Sequence, residues 1–342
     1  MGKNKSTQRP RLLIIIFIIG IFVYITINTQ YNWVSELIFD QEKIEIKSER
    51  FDLGLFLLDS SNYEKKLLEW EEENKGFLNY YLQNHIGMYY DRDSMKKSHV
   101  LSFVSHPDAL LYQKSIQENF VDLDVYTEKI KEAFVEYLSI FPDSTIPKKI
   151  IYSNSFNSYG VDVYNQNLIV GLDFYLGEFH PDSNIWEYLK LRYHEKYMIA
   201  DIMEYWITSS FIHENSMERF QNELIFKGKI IYLMDLILEE DKHVLFRFSE
   251  KDLEWCNIHE SNIWNEIISL DLMYSKDYNS YATFFSDAPF TKGMPKESPA
   301  RLGYWVGYKI IDSYMSNNNV STQELMSNTN YQDILLKSKY RP

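Results

Sequence analysis

The chain has 342 residues, with 35 Lys+Arg against 49 Asp+Glu and a formal charge of −14; 45% hydrophobic and 25% charged residues exclude wholesale disorder. Twelve glycines and nine prolines against 27 Tyr, 21 Phe and 7 Trp exclude collagen-like and linker-dominated designs. The acidic balance excludes a nucleic-acid surface, which needs a basic stripe, and the single cysteine, Cys256, excludes an internal disulfide and a zinc site of several thiolates.

Leu12 to Ile27 is an uncharged apolar run behind Lys3, Lys5, Arg9 and Arg11. With Asn28 and Thr29 at the interface it approaches the lower limit of a membrane span. A buried core helix is the competing reading of such a run, and its place behind a basic leader favours export. Residues 1–11 are therefore expected to be a cytoplasmic leader and 12–29 a transmembrane signal anchor. No small-x-small site follows, so the anchor is expected to stay uncleaved. Residues 30–50 read as a stalk and 51–342 as a mainly helical periplasmic domain. Without the four leader cations, 31 basic residues face 49 acidic ones, and an anionic membrane surface repels such a domain.

Helical periodicity begins at Asn62 to Leu82, where the acidic run Glu71-Glu72-Glu73 reads as a solvated face. Ile130, Phe134, Tyr137 and Phe141 mark an amphipathic helix over Thr127 to Phe141, stopped by Pro142. Lys148 to Ser153, Val161 to Val163 and Leu168 to Leu172 read as three strands, the last two separated by the turn-forming Asn165-Gln166-Asn167. A small antiparallel meander is expected. Leu189 to Phe211 reads as one long helix carrying His194, Tyr197, Asp201, Glu204 and Thr208 on a polar stripe. Glu218 to Leu238 is a strongly apolar helix containing Glu223, Gly228 and Asp235.

A capping box, Ser249-x-x-Asp252, opens a helix expected to run to about Tyr274, and Ser298-Pro299 reads as the cap of a helix over Ala300 to Met315. Ser321-x-x-Glu324 and Thr329-x-x-Gln332 open two short terminal helices. The fold class is mainly α with a small antiparallel β-sheet (α+β).

His194-Glu195 invites a zinc-peptidase reading, because H-E-x-x-H puts two imidazoles on one helical face. Here the position four residues on is Met198, and no histidine pair at that spacing exists. Asp201, Glu204 and Glu223 could share a cleft as acid–base groups or be solvated helix carboxylates. Asp235 reads as a hydrogen-bonded structural acid or a cap partner. No G-x-S-x-G, P-loop or dinucleotide-binding motif occurs, and nothing activates Cys256. Gly303 and Gly307 would let another helix approach closely. Arg301, Tyr304, Tyr308 and Asp312 line one face of the same helix, either lining a cleft or satisfying a helix junction.

Several segments together resemble the gliding-motility lipoprotein family GldB. They are Leu168 to Gly177, Glu223 to Lys229, Asp287 to Gly293, Glu297 to Gly307, and the ending Ile334 to Pro342. The resemblance spans roughly residues 50–342. It implies a cell-envelope protein of Bacteroidota, tied to gliding motility and to type IX secretion machinery, and a degenerate zinc-peptidase-like helical architecture that has lost its ligands. In that comparison the 189–211 helix holds the metal-helix position, Glu223 the place of a later glutamate ligand, and 299–315 a packing helix.

The family's lipidated cysteine near the amino end is missing, so the resemblance and the apolar run together imply single-pass inner-membrane placement with the domain in the periplasm. Outer-membrane-associated, lipoprotein-like placement is the alternative. The expected function is a non-enzymatic, pseudo-peptidase component that binds an envelope protein partner, with no cofactor and no catalytic or metal residue. Its candidate cleft is Asp173, His194, Asp201, Glu204, Glu223, Arg301, Tyr304 and Tyr308. The rival function is a metal-dependent hydrolase with atypical acidic ligands.

Overall fold

Four strands form one mixed sheet in the order β1-β2-β4-β3: β1 (Lys47–Arg50), β2 (Lys149–Ser153), β3 (Val161–Tyr164) and β4 (Asn167–Gly171). The computed structural model describes residues 44–90, 93–182 and 184–342. The three expected strands are present, but the antiparallel meander is not. β2 runs parallel to both β1 and β4, and only β3–β4 is antiparallel. The helices between β1 and β2 supply the long crossover that a parallel pair requires. Ile150–Tyr152 and Leu168–Val170 are fully buried, which explains why β2 and β4 read as continuous apolar runs without alternation. β3 and β4 are joined by two residues, Asn165 and Gln166, with φ of 49° and 63°, the left-handed pair that a tight hairpin needs. β1 lies inside the stretch expected to be stalk, and Ile46–Pro342 forms one unit.

An aromatic core packs beside the sheet. Helix α1 (Phe51–Phe56) sets Phe51 among Trp70 of α2 (Tyr63–Glu73), Phe77 and Tyr81, with ring centroids 4.9–5.1 Å apart. Ile151 and Ile169 of the sheet join the same cluster. Gly76, at φ 75°, breaks the helix expected over Asn62 to Leu82, and Glu71, Glu72 and Glu73 are solvent-exposed as expected.

Helix α3 (Asp124–Ile140) ends before Pro142 and meets α4 (Met198–Phe211) through an edge-on Phe134–Trp206 contact at 5.3 Å. Helix α5 (Phe220–Ile237) is the central rod: 14 of its 18 residues are buried, so it has no solvated stripe. Helix α6 (Leu302–Asn317) crosses it at Gly228 and Gly307. A Cβ at Gly307 would sit 2.1 Å from the Leu224 carbonyl oxygen, and one at Gly228 2.2 Å from the Gly307 carbonyl carbon. Gly303 admits the Phe285 ring instead. Lys229 reaches past this crossing to donate to the Met326 and Asn328 carbonyls, each at 2.9 Å, and α7 (Tyr331–Ser338) closes over it.

Several helix ends differ from their sequence signals. The helix expected over Leu189 to Phe211 is broken into Glu187–Arg192, a 3₁₀ turn at Glu195–Tyr197, and α4. A bridge between Leu176 and His194 and a Gly177 N–H bond to the Tyr193 carbonyl draw the chain away from the helix axis there. The capping boxes at Ser249–Asp252 and Ser321–Glu324 form as expected. The first of these helices ends at Ile258, however, and Glu260–Ser269 follows as a separate helix, with Asp271 in the left-handed region after it. Arg301, not Ser298, is the cap residue of α6, and Asn330 rather than Thr329 caps α7. Among the described residues no helix is long and apolar enough to cross a membrane. The expected leader at 1–11 and anchor at 12–29 lie outside the described residues.

Candidate functional site

Asp201 and Glu204 stand one turn apart on α4, and three arginines from separate segments close on them. Arg192, ending the Glu187–Arg192 helix, donates to both Asp201 oxygens at 2.9 Å and through Nε to Asp287 at 3.2 Å. Arg247 donates from Nε to Asp201 at 2.9 Å, and its Nη2 lies 2.8 Å from Glu204. Arg301 donates to Glu204 at 3.2 Å and has Nη1 3.6 Å from Asp287. Tyr175 donates to Asp201 at 3.1 Å and Tyr304 to Glu204 at 2.7 Å. Lys227 of α5 places Nζ 3.6 Å from Glu204. Planar guanidiniums suit this arrangement because they present several donors in a fixed fork.

Burial by itself would raise both carboxyl pKa values. The guanidiniums outweigh it: Arg192 and Arg247 hold Asp201, and Arg247 and Arg301 hold Glu204, below the ordinary carboxylate range. Both acids are ionised acceptors with no proton to give. Arg247 and Arg301 occupy left-handed backbone conformations, at φ 58° and 62°. Such conformations cost a β-carbon-bearing residue on the order of 1–3 kcal/mol. They persist here because they turn the two buried side chains into the network.

The eight expected cleft residues do not form one cleft. Asp201, Glu204, Arg301 and Tyr304 converge as described. His194 is exposed and lines the cavity that Arg192, Arg247 and Arg301 also line, its Nδ1 accepting from the Lys196 N–H at 3.2 Å to cap the Glu195–Tyr197 turn. The helix break after Arg192 takes it off the α4 stripe. Asp173 is fully buried elsewhere, accepting from the Ser155 N–H and hydroxyl at 2.6 and 2.9 Å and from the Asn157 N–H at 2.5 Å. It braces the left-handed Phe156–Asn157 turn, and burial lifts its pKa to about 6 against those hydrogen bonds.

Tyr308 lies further along α6 and donates to Asp235 at 2.8 Å, with Lys242 bonded to the same hydroxyl. Asp235 is therefore a hydrogen-bonded structural acid, and Asp312 is solvent-exposed. Glu223, on the first turn of α5, is buried with its Oε2 lacking a partner. Burial pushes its pKa up to about 7, with Lys227 one turn along partly opposing the rise.

Arg192, Arg247, Lys227 and Asp287 belong to the network but carried no catalytic or binding signal of their own. Lys227 and Asp287 fall within the family-like segments. Arg192 and Arg247 sit where helices stop, and no periodicity points to such positions. Arg192, Arg247 and Arg301 also line a cavity of about 440 Å³, together with Tyr188, Phe248 and Ser298. A second cavity, of about 250 Å³, is lined by Asp201, Glu204, Lys227 and Tyr175 and shares Arg192 and Arg301 with the first.

Among the described residues no group of three or more His, Cys, Asp or Glu is placed to hold a metal ion. Four cationic side chains ring the two central carboxylates, and their field opposes a divalent cation.

The fold and site define a mainly helical protein whose α4 acids, Asp201 and Glu204, are partners in a buried ion network. The sequence model of the gliding motility protein GldB matches residues 35–342, and the chain belongs to this family of cell-envelope gliding-motility lipoproteins. No curated protein matches the chain, and no solved structure does.

Proposed function

We propose that this protein is a membrane-anchored, non-enzymatic component of the gliding machinery and its type IX secretion partner system. In this reading residues 12–29 hold it in the inner membrane and the domain beginning at Ile46 presents a face to an envelope protein in the periplasm. Tethering raises the local concentration of that face. Family membership supports the motility association. The observation that carries the binding role is the engagement of Asp201 and Glu204 by arginines. An acid held ionised by two guanidiniums neither donates a proton nor has lone pairs free for a metal. The test is cross-linking of the full chain in cells, followed by identification of captured proteins. An envelope motility or secretion protein is expected, and capture of none in repeated trials sinks the reading.

One observation favours the rival hydrolase. Glu223 has its pKa near 7 and an unpartnered oxygen, properties suited to a general acid or base. That reading requires stoichiometric metal in the purified chain, release of peptide fragments, and loss of turnover in Glu223→Gln. Metal analysis that comes back empty ends it.

A further inference from the structure

We propose that the cavity floored by Arg192, Arg247 and Arg301 receives the terminal carboxylate of a peptide chain. The inference deepens the partner-binding reading and rests on it. The network is not electrically balanced. Arg192, Lys227, Arg247 and Arg301 bring four positive charges against three from Asp201, Glu204 and Asp287. Lys196 and Lys296 on the cavity's lining are equalled in number by Asp252 and Glu297, so one positive charge remains while Glu223, which interacts with Lys227, is protonated. A single negative charge restores neutrality. A phosphate dianion would overshoot it beside three fixed carboxylates.

Three buried atoms of the lining residues lack a hydrogen-bond partner, and of these Arg247 Nη2 has its ion pair with Glu204. Ser298 is 2% exposed and its hydroxyl has no partner; Arg301 is 7% exposed and its Nε has none. Unpaired buried polar groups are rare, and an ordered water or a bound group accounts for most of them. α6 starts at Leu302, immediately after these residues, so the positive end of a 16-residue helix dipole adjoins the same wall. Leu191, Phe248, Pro289 and Ala300 supply an apolar stretch of a wall that His194, Lys196, Asp252 and Lys296 share.

A cationic floor beside the apolar stretch of Leu191, Phe248, Pro289 and Ala300 fits a chain end whose last side chain is apolar. A volume of about 440 Å³ is within the range of small-ligand sites. An internal acidic side chain would have to bring two strands of backbone through the mouth, whereas a chain end brings one.

The experiment uses the full chain in detergent and a randomised pool of hexapeptides with free carboxyl termini, beside the same pool amidated. Retained peptides are identified by mass spectrometry. The free-acid pool is expected to be retained at least tenfold over the amidated pool, enriched in apolar last residues. Inorganic phosphate at equal concentration is expected not to displace it. Ser298→Val, which removes the idle hydroxyl, is expected to lower retention at least fivefold. Lys296→Glu, an exposed change that leaves folding untouched, is expected to lower it several-fold.

Equal retention of the two pools, retention of neither, or displacement by phosphate overturns the proposal. So does retention of amidated peptides selected for internal acidic residues. If Lys296→Glu and Ser298→Val still capture the wild-type partner in cells while the pools fail, the cavity inference falls and the partner reading stands. If the free-acid pool is retained but no partner is ever captured, the partner reading falls.

Discussion

The Phe51 cluster and the arginine–carboxylate network are both buried, and they hold their elements together by opposite means. Around Phe51, four aromatic rings meet at about 5 Å, and each contact is non-directional and indifferent to protonation. Around Asp201 and Glu204, every contact depends on a charge and a donor direction. The first is a robust adhesive. The second adds little net free energy over an apolar packing of the same shape, yet it is severe on any single loss, because the remaining charges stay buried and unpaired.

That contrast predicts two substitutions of similar size and different pH behaviour. Phe51→Ala is expected to cost about 3–5 kcal/mol from lost burial and the cavity left behind. Arg247→Met is expected to cost about 3–5 kcal/mol by stranding Asp201 and Glu204. The two carboxyls have folded pKa values depressed below 3.8 and 4.5, so their stabilisation is complete above those values and is lost as pH falls through the folded ones. Urea titrations at pH 7 and pH 4 should therefore give the same loss for Phe51→Ala and a smaller loss for Arg247→Met at the lower pH. Equal losses at both pH values for Arg247→Met would break the distinction.

The same contrast decides what could be read from the sequence. The apolar helices, the three strands and two capping boxes follow from periodicity and local chemistry, so Ile130–Phe134–Tyr137 and Ser249–Asp252 were legible. β1 was not, because Lys-Ser-Glu-Arg has no strand pattern and forms only where the β2 edge pairs with it. The site was half legible. Asp201, Glu204, Arg301 and Tyr304 lie at helical spacing on two helices and were found together. Arg192 and Arg247 terminate helices, and their reach is set by a break at Tyr193 and a left-handed turn that no single-sequence spacing encodes. That same break takes His194 off the α4 stripe and leaves it on the wall of the cavity that Arg192 and Arg301 also line.

The crossing of α5 and α6 offers a third, purely steric case. Gly307→Ala puts a methyl group 2.1 Å from a backbone oxygen that cannot rotate away. A loss of about 3 kcal/mol, the upper part of the overpacking range, is expected, with no dependence on pH. Thermal melts at pH 5 and pH 8 check it.

Glu223 sharpens the comparison at intermediate size, since it is a buried acid without an arginine. Its folded pKa of about 7 exceeds the unfolded 4.5, so the folded state binds more protons between them. Stability should fall as pH rises from 4.5 to 7, and the full penalty should persist above 7. Glu223→Gln removes the charge and is expected to stabilise the chain by ~1–3 kcal/mol at pH 8, with the gain vanishing near pH 4.5. Denaturant midpoints across that range test it, and a destabilised Glu223→Gln at pH 8 would show that the carboxylate has a partner worth more than its burial.

The smallest effect separates strain that serves a turn from strain that serves the network. Gln166 and Arg301 share nearly the same φ, 63° and 62°. Gln166 is exposed in the β3–β4 hairpin, and its side chain has no role there beyond tolerating the turn. Glycine reaches this conformation without the Cβ clash, although it gives the unfolded chain more freedom to lose. For Gln166→Gly the relief of about 1–2 kcal/mol in the left-handed region outweighs that entropy, leaving a net gain of ~0.5–1 kcal/mol. Arg301→Gly relieves the same backbone strain while leaving Glu204 and Asp287 short of a buried cation, and its net effect should be a loss of several-fold larger size. If both substitutions stabilised the protein, Arg301 would be an ordinary turn residue, and the network could not be what holds its backbone in place.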